Sequence, residues 1–196
     1  MTASESGDAD ATVEYAVLLD VLRHGRRNDD RRRFDSAPIA YALRESNFRL
    51  LELTLEEDAD VSIGDRVAVA PAADRELVQN VTESSFDDLS NTASSEVEYV
   101  VEDIVDANEK RFVDFYNDAQ PITLRLHQLN LLPGIGKKLR DKILEERKRY
   151  GPFESFEDLE ERVSGLHHPK EVIVERILEE LHDDDVKYKT FVRNDQ

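Results

Sequence analysis

The sequence of 196 residues contains no cysteine, no tryptophan and only one methionine. The absence of cysteine excludes disulfides and thiolate metal ligands. No export signal is visible in the first residues, so we expect a cytoplasmic protein. No apolar run reaches the roughly 18 residues of a transmembrane helix, and no membrane partner is expected. Residues 1–12 are acidic and rich in small residues, which predicts a disordered tail.

Lysine is scarce although charge is abundant. The chain has 44 acidic and 26 basic residues, a formal net charge of −18, and only eight of the basic residues are lysine. A carboxylate-rich, lysine-poor surface is typical of proteins from salt-loving archaea, because concentrated salt screens the self-repulsion of the surface. We therefore predict a halophilic protein, with an acidic protein of an ordinary cytosol as the alternative.

The basic residues are clustered in two short segments. Residues 23–33 contain six basic and two acidic residues, and residues 133–150 contain seven and three. These 29 residues carry a formal charge of +8, while the other 167 carry −26. The distribution predicts two local positive sites in an otherwise acidic molecule.

The first half of the chain has the two-residue periodicity of β-strands. Alternating apolar positions, separated by turn signals, predict five strands near residues 13–21, 39–43, 51–55, 63–71 and 76–82. Several short strands of this kind favour a small β-barrel over residues 13–83. The pattern does not distinguish an OB-like barrel from an SH3-like one.

The second half has helical periodicity, so the predicted fold class is α+β. We expect connecting helices over residues 84–119, with a break at residues 107–110, and an all-helical domain over residues 120–196. The apolar spacing of Ile122, Leu126 and Leu129 predicts a helix, and Ser155 with Asp158 forms a capping-box pattern that starts another. The C-terminal residues 186–193 are interpreted as a short closing strand.

The segment "NLLPGIGKKLRDKILEER", residues 130–147, contains the clearest binding motif. Gly134 and Gly136 can adopt positive φ and leave room for a ligand, and Ile135 is expected to fill the gap between two helices. Free N–H groups at the start of the next helix favour an anion. The positive charges of Lys137 and Lys138 are unfavourable at the positive end of the helix dipole unless a phosphate is bound. The alternative is a purely steric turn with a solvated basic face.

Together with "YGPFESFEDLEERVSGL", this segment resembles a tandem helix-hairpin-helix nucleic-acid-binding unit over residues 122–181. The resemblance implies that the turn binds backbone phosphates, and that the hairpin carbonyls hold a monovalent cation, K⁺ or Na⁺. No other cofactor and no metal site are expected. The phosphate-binding residues implied are Pro133, Gly134, Ile135, Gly136, Lys137, Lys138 and Arg140.

A second, weaker hairpin is predicted around Gly165, Leu166, His167 and Lys170. It departs from the pattern of the first hairpin, because it lacks a second glycine and continues instead as His167-His168-Pro169. The two histidines are interpreted as surface or packing residues, since no cysteine accompanies them and no carboxylate geometry suited to a metal is visible.

Nearly the whole chain resembles an archaeal, uncharacterised, DUF655-like family that is predicted to bind nucleic acid. The matching segments include "YAVLLDVLRHGR", "FRLLELTLE" and "QPITLRLHQLNLLPGIGKK". The resemblance implies a small β-barrel before paired hairpins, and RNA, with ribosomal RNA as a candidate, as the ligand. Ribonucleoprotein partners are implied as well, and the oligomeric state is not predicted.

The basic segment 23–33 is a candidate second contact, because arginine forms bidentate bonds with phosphate and barrel loops often bind nucleic acids. The alternative is pairing with the protein's own carboxylates. The candidate residues are Arg23, Arg26, Arg27, Arg31, Arg32 and Arg33.

The sequence favours a binding protein over an enzyme. It shows no acidic metal cluster, nucleophile elbow or Walker loop. Asp158 follows the hairpin as the catalytic aspartate of some helix-hairpin-helix glycosylases does, but it lies in a capping box, and no domain that would form a base pocket is present. A DNA-binding or repair-associated protein and a protein-only interaction scaffold are the alternatives.

Overall fold

The computed structural model describes residues 12–24 and 37–193, and its architecture is α+β. The chain divides into two compact units, Met1–Val97 and Glu98–Gln196. This division lies inside the segment predicted as connecting helices. Within the described residues, no helix is long and apolar enough to span a bilayer.

The first unit contains a curled, half-barrel sheet of five antiparallel strands, in the order β4-β1-β2-β3-β5. Each strand lies where the alternation predicts it, which confirms the five predicted strands. β4 and β5 form the edges of the sheet. The strands are β1 Glu14–Leu22, β2 Ile39–Arg44, β3 Leu50–Leu55, β4 Arg66–Ala70 and β5 Val78–Glu83.

A bulge in β1 lets both faces of this strand contribute to the interior. The register between β1 and β2 shifts between Leu18 and Asp20, and Leu18 and Leu19 are both fully buried. The bulge also places the carboxylate of Asp20 in the interior, where its Oδ2 accepts a hydrogen bond of 2.5 Å from the Ser90 hydroxyl. Small and branched side chains from all five strands line one continuous apolar cluster, which includes Ala16, Ala40, Leu53, Val69 and Val78.

Five α-helices follow the sheet in the described residues, three of them after the glycine-rich turn. α1 ends at Ala107 and α2 starts at Glu109, so the predicted break is confirmed. Asn108 lies between them, and its Nδ2 donates to the carbonyl of Ile104. The helices are α1 Asn91–Ala107, α2 Glu109–Asp118, α3 Lys137–Tyr150, α4 Phe156–Arg162 and α5 Pro169–His182.

The helix predicted from Ile122, Leu126 and Leu129 is wrong. Residues 121–127 form a short loop closed by a bridge between Pro121 and His127, and a 3-10 turn follows over Gln128–Leu131. The hydroxyl of Thr123 accepts hydrogen bonds from the backbone N–H groups of residues 125 and 126. This local bonding competes with helix formation, so apolar spacing alone does not determine the structure here.

The start of α4 follows the predicted capping pattern. The Ser155 hydroxyl accepts from the Asp158 backbone N–H at 3.0 Å. The Asp158 carboxylate bonds to the N–H of Glu154 rather than to that of Ser155, so the reciprocal half of the capping box is displaced by one residue. α3 ends at Tyr150, and Gly151 adopts φ +86, a left-handed conformation that glycine tolerates.

The predicted closing strand at the C-terminus is also wrong. The backbone N–H groups of Thr190, Phe191 and Val192 donate to the carboxylate of Glu180 at 2.7, 2.9 and 2.9 Å. Glu180 is fully buried, and Arg176 Nε donates to its Oε1 at 2.9 Å. One carboxylate therefore accepts hydrogen bonds from three backbone N–H groups of the tail, so these groups do not require a partner strand.

We predict that Glu180→Ala destabilises the second unit by about 3–5 kcal/mol, because it leaves the buried Arg176 charge and three amides unpaired. Urea unfolding followed by circular dichroism measures the effect. Glu179→Ala is the matched control, since Glu179 is half-exposed and contacts the same arginine at 3.4 Å. Equal stability of the two variants would contradict the structural role of Glu180.

Candidate nucleic-acid interface

In the turn before α3, the apolar side chains are buried and the glycines are exposed to solvent. Leu132 and Ile135 are buried, whereas Gly134 and Gly136 are exposed. The N–H of Ile135 donates to the carbonyl of Leu132 at 3.2 Å. The side chain of Ile135 thus lies in the interior, as the sequence predicts, and the glycine backbone lies at the surface.

The two glycines of this turn differ in conformation. Gly134 has φ +75, which explains why this position favours glycine. Gly136 has φ −81 and ψ −178, so the expectation of positive φ does not hold at this position. A Cβ added to Gly136 would have no neighbour within 4 Å. Neither the backbone conformation nor the surrounding protein requires glycine at residue 136.

The N-terminus of α3 is not capped by a side chain. Gly136 is the N-cap residue, and the first turn contains no acidic residue. Lys137 and Lys138 are exposed in that turn and have no ion-pair partner among the described residues. An uncapped first turn leaves backbone N–H groups without partners, and two adjacent cations oppose the helix dipole. The arrangement suits an external anion.

Arg140 and Asn130 hold the turn in shape. Asn130 Nδ2 donates to the carbonyl of Ile135 at 3.0 Å, and Arg140 Nη1 donates to Asn130 Oδ1 at 3.2 Å. Arg140 also donates to the carboxylate of Asp141. Asn130 is not among the residues predicted from the sequence, and its only signal there is a polar residue within the apolar run "LNLL".

Two further basic residues of α3 bind backbone carbonyls inside the second unit. Arg147 donates to the carbonyls of Tyr116 and Ala119 at 2.9 and 3.0 Å, and Lys142 donates to Ser164 at 2.8 Å. Burial, and secondarily the charges of Arg147 and Arg140, lower the pKa of His127. A neutral His127 keeps Nδ1 as an acceptor for the N–H of Leu129, which caps the 3-10 turn before the glycines.

The C-terminal end of α3 is also basic and exposed. Lys148 and Arg149 are exposed, and neither has an ion-pair partner among the described residues. The Arg149 guanidinium lies 5.3 Å from the ring centroid of Tyr150, a residue that is 62% exposed. Lys148 also lines an open depression together with Asn117 and Pro152.

The second glycine turn has a different electrostatic arrangement. Gly165 has φ +96, Leu166 is buried, and His167 and His168 are exposed. The carboxylate of Glu160 accepts from the backbone N–H of His168 at 3.2 Å, so the protein's own anion lies at this turn.

Lys170, in the first turn of α5, is likewise paired. Its ammonium lies 3.1 Å from the carboxylate of Asp106, and this hydrogen bond raises the pKa of Lys170. No group of three or more metal-ligating side chains occurs in the part of the chain that the structure describes.

The structure describes only one arginine of the basic segment 23–33. Arg23 Nη2 donates to the carbonyl of Val61 at 3.1 Å. The other predicted residues of this contact lie outside the described residues, namely Arg26, Arg27, Arg31, Arg32 and Arg33. The structure therefore brings together the residues of the α3 turn, and the contact at segment 23–33 stays a prediction.

Comparison with known proteins gives matches over most of the chain. The family model described as "Protein of unknown function (DUF655)" matches residues 12–193. "Uncharacterized protein MJ0038" of Methanocaldococcus jannaschii is 40% identical over 181 residues, which are 91% of this chain and 79% of that protein. The crystal structure of Af1531 from Archaeoglobus fulgidus has a TM-score of 0.81 and 40% identity, covering 92% of this chain and 99% of that one. Both relatives are archaeal, and neither name states an activity.

Proposed function

The chain belongs to the DUF655 family, and we propose that it is a non-enzymatic nucleic-acid-binding protein of the cytoplasm, with RNA favoured over DNA. The observation that carries this proposal is the uncapped N-terminus of α3, where Gly136 precedes two unpaired lysines. The site would bind a backbone phosphate without reading base sequence, because phosphate contacts position a nucleic acid but do not specify it.

The energetic argument is that this arrangement costs stability in the absence of a ligand. Lys137 and Lys138 lie where the helix dipole disfavours cations, by a few tenths of a kcal/mol to about 1 kcal/mol each. A serine or aspartate at position 136 would satisfy one of the free amides, but this chain has glycine there. A bound phosphate reverses both effects, since it accepts from the amides and neutralises the lysines.

In finer detail, we propose that residues 128–150 and 156–182 are a tandem helix-hairpin-helix unit. Two segments with a glycine turn between helical elements support this proposal, as do the buried Ile135 and Leu166 at corresponding places in the two turns. We further propose that the five-stranded sheet is a small barrel of the OB or SH3 type.

The monovalent cation implied by the hairpin resemblance fits the chemistry of the turn. Neutral backbone carbonyls are ligands that K⁺ takes in proteins, whereas divalent cations favour carboxylates. Residues 130–138 contain no carboxylate. The carbonyls from Leu132 to Gly134 would hold the ion, and the ion would add positive charge to the phosphate site.

The non-enzymatic assignment is supported by the role of Asp158. This carboxylate accepts from the N–H of Glu154 at 3.1 Å and pairs with Arg162 at 3.0 Å. It is therefore used in starting and bracing α4. A DNA-binding or repair-associated protein and a protein-only scaffold remain the competing functions, and direct binding assays with structured RNA and duplex DNA distinguish them.

We predict that Lys137→Glu with Lys138→Glu weakens binding to structured RNA and to duplex DNA by a similar factor, at least tenfold. The double reversal removes two phosphate partners and adds repulsion, while the groups that read bases are unchanged. Fluorescence anisotropy with labelled nucleic acids measures the affinities.

The control is Lys110→Glu with Lys187→Glu, which makes the same change in net charge at exposed lysines of α2 and of the segment after α5. We expect only a small loss of affinity for this pair. Equal losses for the two double variants would show that net charge, rather than the α3 turn, determines binding.

We predict that the affinity for structured RNA depends weakly on salt, with a log–log slope equivalent to three or fewer ion contacts at roughly 1–3 M KCl. Backbone amides carry no full charge, so they release fewer counterions than lysine side chains do. Titrations across this salt range give the slope. A steep slope, with binding lost above about 1 M KCl, would count against both the amide contact and the halophilic assignment.

A further inference from the structure

The seven basic residues of α3 divide into two groups by what they contact. Arg140, Lys142 and Arg147, in the interior of the helix sequence, donate to groups within the second unit. Lys137 and Lys138 in the first turn, and Lys148 and Arg149 in the last, have no ion-pair partner among the described residues. The cations of α3 that are available to a ligand therefore lie at the two ends of the helix.

We propose that Lys148, Arg149 and Tyr150 form a second nucleic-acid contact, at which an unpaired base stacks on Tyr150 or on the adjacent guanidinium. This inference rests on the proposed function, because it extends the phosphate contact at the α3 turn to a longer stretch of the same strand. The proposed ligand is single-stranded or looped RNA.

The geometry of α3 places Lys137 and Lys148 on one face, and Tyr150 follows at the C-terminal end of the helix. Lys137 and Lys148 are eleven positions apart, which is close to three full helical turns, so their Cβ atoms point in nearly the same direction. At 1.5 Å per residue the two ends are about 16 Å apart. A stacked strand advances about 3.4 Å per nucleotide, so roughly five nucleotides reach from one end to the other.

The chemistry at the far end favours a base over a phosphate alone. Cations in the last turn stabilise the helix dipole, which gives Lys148 and Arg149 a structural role even without a ligand. That role does not extend to Tyr150, a residue that is 62% exposed and lies beside the Arg149 guanidinium. Exposed aromatic rings next to cations are the platform on which single-stranded nucleic acids stack.

The test uses Tyr150→Trp in the full chain, because the protein has no tryptophan and the introduced indole is its only one. We expect single-stranded RNA of about ten nucleotides, twice the span derived above, to quench the indole emission at saturation. Tyr99→Trp is the matched control, since Tyr99 is 65% exposed on α1 and its emission should not change. A second variant, Tyr150→Ala, should bind this RNA about 5- to 150-fold more weakly, the usual loss of one stacked base.

The outcomes separate this inference from the proposed function. Quenching confined to the Tyr150→Trp variant, with weaker binding of Tyr150→Ala, supports the contact. If the wild-type protein binds RNA, but the Tyr150→Trp emission is not quenched and Tyr150→Ala binds as tightly as wild type, the contact at Tyr150 is wrong. The proposed phosphate contact at the α3 turn is then unaffected. If the wild-type protein binds no nucleic acid, both proposals are overturned.

Discussion

The open positive end of α3 is the constraint that the contacts of the first glycine turn have to satisfy. A helix N-terminus with no side-chain cap and two unpaired lysines is an unfavourable arrangement in a chain with a net charge of −18. The surrounding contacts keep it in place. Arg140 and Asn130 brace the turn, Ile135 anchors it in the interior, and Arg147 links α3 to the end of α2.

Elsewhere in this unit, the abundant carboxylates occupy the backbone amides. Glu180 binds three amides of the C-terminal tail, Glu160 binds the N–H of His168 at the second glycine turn, and Asp158 binds that of Glu154. The α3 turn is different, because its first turn contains no acidic residue. The contrast supports the proposed phosphate site in a protein that is otherwise acidic, and it makes the first glycine turn the better candidate of the two.

The sequence predicted the five strands, the break between α1 and α2, and the start of α4, because each depends on local periodicity or on capping residues. It failed at residues 121–127 and at the C-terminal tail, where Thr123 and the buried Glu180 take the backbone amides. For the candidate site, the sequence predicted the residues Gly134, Gly136, Lys137 and Lys138. It could not predict the conformation of Gly136, the side-chain contacts of Asn130, or the bonds from Arg147 to carbonyls 31 and 28 residues away, since none of these follows from local periodicity.

The most direct test of the central claim is the affinity of Gly136→Ser for structured RNA, measured beside its stability to urea. Residue 136 has φ −81 and ψ −178, which serine adopts readily, and its hydroxyl can cap α3. The free energy of unfolding should therefore stay the same or rise by a few tenths of a kcal/mol. We predict that the affinity falls at least tenfold, because the new side chain competes for the amides and fills the space of the phosphate. An unchanged affinity in a variant of unchanged stability would contradict a phosphate site at the α3 turn.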